Sequence, residues 1–162
     1  MAFTHARAAV EYDAPVRRIV GAWKERGLRR LAAWAAGVLA DAVVPPAGVV
    51  TFVPADRDRR LRRGHHPAEA LARELAALWS LSLEALLVRV RGSPRQRELS
   101  RLERRRNVAA AFAPCRVVPA RVVLVDDVYT TGATANAAAS ALRKGGAREI
   151  EVVTFARTIR IR

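Results

Sequence analysis

The sequence contains one cysteine, Cys115, among 162 residues. A single cysteine excludes an intrachain disulfide, and it excludes a zinc site built from several cysteines. Cys115 lies in the apolar stretch AFAPCRVV, which favours a buried structural thiol over an exposed nucleophile.

Long apolar runs are missing as well. Uncharged stretches are short, and the one at residues 42–55 is interrupted by Pro45 and Pro46. No transmembrane helix of about 20 residues therefore fits the sequence. The first residues, MAFTHARAAVEYD, lack the apolar core of a signal peptide. We therefore expect a cytoplasmic protein that does not associate with a membrane.

Aromatic residues make up only 6% of the chain. Trp23, Trp34 and Trp79 fall on the apolar faces of predicted helices, where we expect them to fill the core. Residues 91–106, which are very basic, contain no aromatic side chain. The chain therefore offers little for stacking on nucleic-acid bases.

Acidic residues are few compared with basic ones. There are 15 Asp and Glu against 29 Lys and Arg, a net charge of +14, and only Lys24 and Lys144 are lysines. The excess concentrates in residues 57–106, which hold fourteen arginines and six acids. This charge favours an anionic partner such as nucleic acid, a phosphorylated metabolite or an acidic protein. The alternative is an arginine-rich surface that is simply solvated.

Strand and helix patterns alternate along the chain, and a hydrophobic content of 51% is sufficient for a core. The apolar spacing predicts strands at residues 8–12, 49–53, 83–90, 121–125 and 150–155, and helices at 14–26, 28–39, from Pro67 onward and at 134–144. Such alternation is typical of an α/β fold with a mostly parallel sheet flanked by helices. We predict a single domain over residues 1–162. Three loops that follow strands, 54–66, 91–107 and 126–133, are then expected along one edge of the sheet.

Residues 122–134, VVLVDDVYTTGAT, carry the strongest chemical signal. An apolar strand leads into two carboxylates, a turn of small and hydroxyl-bearing residues, and the first turn of a helix. Backbone N–H groups of such a turn, with the helix dipole, can hold a phosphate, and the carboxylates can accept hydrogen bonds from sugar hydroxyls. Neighbouring residues on a straight strand point to opposite faces, so both acids are expected to reach one ligand only if the backbone turns between them. The alternative is that these residues serve only as caps.

This segment resembles, over thirteen residues, the motif of type I phosphoribosyltransferases that binds 5-phosphoribosyl-1-pyrophosphate (PRPP). From about Tyr12 to Arg157, the expected core of the domain, the chain resembles the ComF-like phosphoribosyltransferases, which are linked to bacterial competence for DNA uptake. The features that carry this wider resemblance are Trp23-Lys24 followed by Gly27, Val53-Pro54, Arg62-Arg63-Gly64, Gln96, Leu99, Arg104, Asn107, Phe112 and Ala156-Arg157.

Two departures from the ComF-like pattern are visible. Such chains usually begin with a cysteine-rich zinc module, which this sequence lacks. After the loop glycine, relatives usually carry an aromatic-Asn-Gln run, whereas His65-His66-Pro67 follows Gly64 here. The second departure leaves the recognition of pyrophosphate or of the acceptor open.

The resemblance implies a role for each matched residue. Asp126 and Asp127 are expected to be catalytic and to contact the ribose hydroxyls, directly or through Mg²⁺, with no other metal ligand identifiable. The PRPP-binding set is expected to be Asp126, Asp127, Val128, Tyr129, Thr130, Thr131, Gly132, Ala133 and Thr134. A second set is expected to bind pyrophosphate, partly from a flexible hood loop at residues 91–107: Ala55, Asp56, Arg57, Arg62, Arg63, Gln96, Arg104 and Asn107.

The function that the resemblance implies is displacement of pyrophosphate at ribose C1 by an acceptor that the sequence does not identify. The alternative is a non-catalytic, regulatory competence protein that binds PRPP or a nucleotide and contacts single-stranded DNA or a protein partner. Dimers are common in the superfamily, so a homodimer is a further expectation.

Overall fold

The computed structural model of the protein describes residues 1–26, 28, 30–55, 64–90 and 111–159. Its strands are β1 His5–Glu11, β2 Val49–Phe52, β3 Leu87–Arg89, β4 Phe112–Pro114, β5 Arg121–Tyr129 and β6 Glu149–Arg157. Its helices are α1 Ala14–Arg26, α2 Leu31–Ala42, α3 Pro67–Leu78 and α4 Ala133–Lys144.

A four-stranded parallel sheet of order β1-β6-β5-β2 positions the site. Strand β5 is central, and its apolar run at residues 122–125 is buried because layers cover both of its faces. Strands β3 and β4 form a separate antiparallel pair. The predicted α/β class with a mostly parallel sheet is confirmed, whereas the extent of the domain stays a prediction.

Helices pack on both faces of the sheet. On one face, α1, α2 and α3 bury large side chains such as Trp23, Leu39 and Leu71. On the other face, α4 packs its alanine-rich side and Leu142 against Leu124 and other residues of β5 and β6. Only residues 130–132 separate β5 from α4, so the N-terminus of the helix lies at the end of the strand.

Strand β5 continues through residue 129, so the prediction that it ends at Val125 and is followed by a loop is wrong. Strand β6 also runs on, and the register pairs Asp126 with Thr154 and Val128 with Ala156. These ladder partners outweigh the poor strand propensity of aspartate. The predicted strand at 83–90 is confirmed only at Leu87–Arg89.

Two expectations about burial are also wrong. Cys115 is exposed, because it follows β4 at the rim, where its thiol donates to the carbonyl of Ala85 over 3.3 Å. Trp34 is 48% exposed and touches Phe155 only edge-on, with ring centroids 5.4 Å apart. Trp23 and Trp79 are buried as predicted. Among the described residues, no helix is both long enough and apolar enough to cross a bilayer.

Candidate functional site

A cleft of about 400 Å³ opens at the carboxyl edge of the parallel sheet. Its volume is in the range of ligand pockets, roughly 300–1,000 Å³. The end of β5 forms its floor, α1 contributes Lys24, the segment after β2 contributes Pro54 and Ala55, and the start of α4 contributes Thr134. Parallel strands present their ends to one edge, so segments distant in sequence meet here.

Asp126 and Asp127 both line this cleft, although they are neighbours on a strand that does not end between them. No turn separates them, and contact of both with one ligand stays a prediction. The cleft wraps around the end of the sheet and is lined by α1 from one face and α4 from the other, so both sides of β5 are accessible from it. The backbone N–H of Asp127 also donates to Oδ1 of Asp126 over 2.9 Å.

Asp127 forms an ion pair with Lys24, whose Nζ lies 2.7 Å from Oδ1 of the carboxylate. The side chains are 14% and 26% exposed, respectively, so solvent screens this pair less than a surface pair. Lys24 was not among the predicted site residues. The only sequence signal was its place in the Trp23-Lys24 pair of the resemblance.

The two carboxylates have different environments. Desolvation raises the pKa of Asp126 from 3.8 to about 8, and the negative charge of Asp127 adds to the increase. The hydrogen bond from the Asp127 N–H and the positive charge of Lys24 oppose this rise. The raised pKa favours the protonated form of Asp126, which can donate as well as accept a hydrogen bond.

The segment between β5 and α4 contains a tight turn at Gly132, whose φ is +74°. A Cβ at this position would lie 2.6 Å from Cζ of Tyr129, so both the backbone conformation and the space require glycine. Tyr129 thus packs beneath the turn, with its ring edge-on to Phe3 at 6.4 Å.

The turn carries features suited to an oxyanion. The helix α4 begins at Ala133, whose N–H donates to Oγ1 of Thr131 over 3.3 Å in the ligand-free turn, so that a phosphate oxygen would have to replace this hydroxyl. A small pocket of about 20 Å³ lies between Thr130, Thr134 and the end of β5, which is space for one water-sized group. The helix N-terminus adds a positive partial charge at this pocket.

On the pyrophosphate side of the prediction, only Ala55 lies within the described residues, and it lines the cleft. The other predicted residues, together with the hood loop at 91–107, lie outside the described part of the chain: Asp56, Arg57, Arg62, Arg63, Gln96, Arg104 and Asn107.

His65 and His66 both line the cleft, at the sheet edge where loop 54–66 was expected. Nε2–H of His65 donates to the carbonyl of Trp23 over 2.8 Å. His66 caps α3, with Nδ1 placed 3.1 Å from the N–H of Glu69, and its Nε2 lies 2.6 Å from the N–H of Ala55. A neutral imidazole has one acceptor nitrogen, so His66 can accept only one of these two hydrogen bonds at a time.

Comparison with known proteins agrees with this geometry. The family model for the phosphoribosyl transferase domain matches residues 61–160. Competence protein F of Haemophilus influenzae is 37% identical over 128 residues, which cover 74% of this chain and 51% of that protein. DNA utilization protein YhgH of Salmonella typhi is 33% identical over 112 residues, covering 68% of this chain and 49% of that protein. The chain thus spans about half the length of these curated relatives.

A solved structure shares the fold. It is the glutamine phosphoribosylpyrophosphate (PRPP) amidotransferase from B. subtilis complexed with ADP and GMP, with a TM-score of 0.50 and 27% identity. The match covers 78% of this chain and 25% of that one. From the domain match and the similarity to competence protein F, the chain belongs to the phosphoribosyl transferase domain family, in its ComF-like branch.

Proposed function

We propose that the protein binds PRPP in the cleft and displaces its pyrophosphate at ribose C1 in favour of an acceptor. The observation that supports this most directly is that two carboxylates and the turn before α4 line the same cleft. Asp126 and Asp127 line its floor, and Thr130 and Thr134 line it beside the N-terminus of α4. One ligand with a sugar diol and a phosphate monoester would match both halves.

In this proposal the turn at residues 130–134 holds the 5-phosphate. Its backbone N–H groups, the threonine hydroxyls and the dipole of α4 stabilise the negative charge. Protonated Asp126 can donate to one ribose hydroxyl while Asp127 accepts from another. Fixing the ribose at both ends restrains C1 for displacement, and such positioning lowers the barrier of the reaction.

Mg²⁺ is part of the proposal because PRPP is polyanionic. Among the described residues, no group of three or more His, Cys, Asp or Glu side chains is arranged to hold a metal ion. The site has the pair Asp126 and Asp127, and Mg²⁺ commonly uses one or two carboxylates together with substrate phosphates. The donor set therefore fits an ion that is held by the phosphates of PRPP, with these carboxylates close by in the same cleft. When bound, Mg²⁺ supplies positive charge to the departing pyrophosphate.

We place the pyrophosphate in the part of the cleft that is lined by Ala55, His65 and His66. Lys24 adds a positive charge on the wall formed by α1. Exclusion of water would protect the oxocarbenium-like state at C1. The acceptor is not identified by the described residues.

Calorimetric titration of PRPP with Mg²⁺ tests the proposal. We expect saturable binding to the wild type and binding at least about tenfold weaker, or about 1.4 kcal/mol, in the Asp126→Asn/Asp127→Asn double variant. The exposed Asp41 offers a matched control, because Asp41→Asn removes a carboxylate outside the cleft. Absence of PRPP binding to the folded wild type would refute the proposal, and binding without turnover on any nucleobase would favour the non-catalytic alternative.

A second candidate function is a competence protein that contacts single-stranded DNA. It is favoured by the names of the relatives, which refer to competence and DNA utilization, and by basic residues at the amino edge of the sheet, opposite the cleft. These residues are Arg116, Arg121, Arg143, Lys144 and Arg148. Glu149, which follows Arg148 in sequence, pairs with Arg121 at 3.2 Å.

Fluorescence anisotropy with a labelled oligonucleotide tests this second candidate. DNA affinity is expected to fall steeply with salt, to persist in the Asp126→Asn/Asp127→Asn variant and to decrease in a Lys144→Glu/Arg148→Glu variant. Equal DNA affinity of the wild type and the charge-reversed variant would show that the amino edge of the sheet is not a DNA-binding surface.

A further inference from the structure

Lys24 is held in the cleft by more than its own ion pair. The residue before it, Trp23, has a side chain that is fully buried in the core. The carbonyl of Trp23 accepts a hydrogen bond from Nε2 of His65 over 2.8 Å. The buried ring and this hydrogen bond hold the backbone of α1 in place beside Lys24, from which Nζ reaches Asp127.

The ammonium group is hydrogen-bonded to one of the two oxygens with which Asp127 could coordinate a metal ion. Nζ of Lys24 lies 2.7 Å from Oδ1 of Asp127, which is direct contact. A divalent cation that coordinated this oxygen would either have to displace Nζ or accept a positive charge a few ångströms away. Both are unfavourable where the pair is largely shielded from water, because repulsion between like charges grows as the surroundings become less polar.

We propose that Lys24 is a positioning residue that keeps Asp127 directed into the cleft and prevents a divalent cation from binding to it directly. In the ligand-free protein, Lys24 thus takes the place that a cation would have at this carboxylate. For PRPP binding the inference rests on the proposed function. It means that Mg²⁺ enters with the phosphates of PRPP, and that Asp127 contacts the ribose rather than the metal.

The exclusion of the cation can be tested on the ligand-free protein with Mn²⁺, whose free concentration is followed by electron paramagnetic resonance. We expect weak binding to the wild type and at least about tenfold tighter binding, or about 1.4 kcal/mol, in Lys24→Met. The added removal of the carboxylate, in Lys24→Met/Asp127→Asn, should abolish the gain. Lys24→Arg keeps the charge and should resemble the wild type.

Arg18 provides the matched control, because it is an exposed cation on the same helix. Arg18→Met removes one positive charge and is expected to change the Mn²⁺ affinity by less than about twofold, since an exposed charge is screened. Circular dichroism verifies that each variant is folded. Lys24→Gln, whose amide can still donate to Asp127, replaces Lys24→Met if the methionine variant does not fold.

Unchanged Mn²⁺ affinity in the neutral Lys24 variants would overturn the inference, as would an equal gain in Arg18→Met. PRPP titrations with and without Mg²⁺ then separate the two proposals. The ratio of the PRPP affinity with Mg²⁺ to the PRPP affinity without Mg²⁺ should be at least about tenfold larger for Lys24→Met than for the wild type. A wild type that fails to bind PRPP would refute the proposed function, whereas the Mn²⁺ result would still decide the role of Lys24.

Discussion

The backbone N–H of Ala55 points at Nε2 of His66, 2.6 Å away, and so connects the segment after β2 to the first turn of α3. The same imidazole offers Nδ1 to the N–H of Glu69 at 3.1 Å. Since only one ring nitrogen of a neutral histidine accepts, the two backbone groups compete for His66. If His66 accepts from Glu69, the N–H of Ala55 faces the cleft without this partner. If His66 accepts from Ala55, the N–H of Glu69 in the first turn of α3 loses its hydrogen bond to the imidazole.

Replacing His66 by asparagine is expected to separate its two roles. Asparagine is among the best N-cap residues, but its shorter side chain would not also reach Ala55. We therefore expect His66→Asn to keep the free energy of unfolding within about 0.5 kcal/mol of the wild type, while the affinity for pyrophosphate changes. Denaturant unfolding and pyrophosphate calorimetry measure the two effects.

His66→Ala is the comparison variant, because it removes both roles. Loss of a cap costs about 1 kcal/mol, so this variant should be less stable than His66→Asn. Pyrophosphate affinity that is unchanged in both variants would show that the hydrogen bond from Ala55 has no part in ligand binding.

Gly132→Ala is expected to distort the turn between β5 and α4. The methyl group would meet the ring of Tyr129, and alanine disfavours the φ of +74°. Strain of this kind costs about 1–3 kcal/mol, and we expect PRPP affinity to fall at least about tenfold. Thermal unfolding and calorimetry measure both quantities.

Gly37 provides the control for this substitution, because it lies inside α2 and an added Cβ there meets no atom within 4 Å. Gly37→Ala should raise stability by up to about 1 kcal/mol through its better helix propensity and leave PRPP binding unchanged. If Gly132→Ala is as stable as the wild type and binds PRPP equally well, the turn does not form the phosphate site.

The sequence predicted the sheet class and the residues around the PRPP motif because both depend on local pattern. Apolar spacing located β2, α3 and α4 closely, and Pro67 marks the start of α3 as expected. Contacts between distant segments left no local signal. The pairing of Lys24 with Asp127 joins residues 103 positions apart, and the extension of β5 beyond Val125 depends on a parallel extension of β6.

The histidines illustrate the same limit. In sequence, His65 and His66 were visible only as a departure from the family pattern. In the structure their hydrogen bonds to Trp23 and Ala55 connect α1 and the segment after β2, which only the fold brings together. The assignments of the residues in 56–63 and 91–110 stay predictions, as do the cytoplasmic location and the homodimer.

Asp126→Asn is expected to change how stability depends on pH. Burial and the charge of Asp127 raise the pKa of Asp126 in the folded protein to about 8, from 3.8. Between about pH 4 and about pH 8 the folded state therefore holds a proton that the unfolded state has lost, so this group lowers the free energy of unfolding progressively as pH rises. Asparagine is neutral throughout and can still accept the hydrogen bond from the Asp127 N–H. The Tm of the ligand-free variant minus that of the wild type should thus increase across this range and level off above about pH 8.

Asp41→Asn, at an exposed position, should not reproduce the increase. Parallel curves of Tm against pH for Asp126→Asn and the wild type would mean that Asp126 is ionised in the folded protein, and its role as a hydrogen-bond donor to the ribose would have to be abandoned.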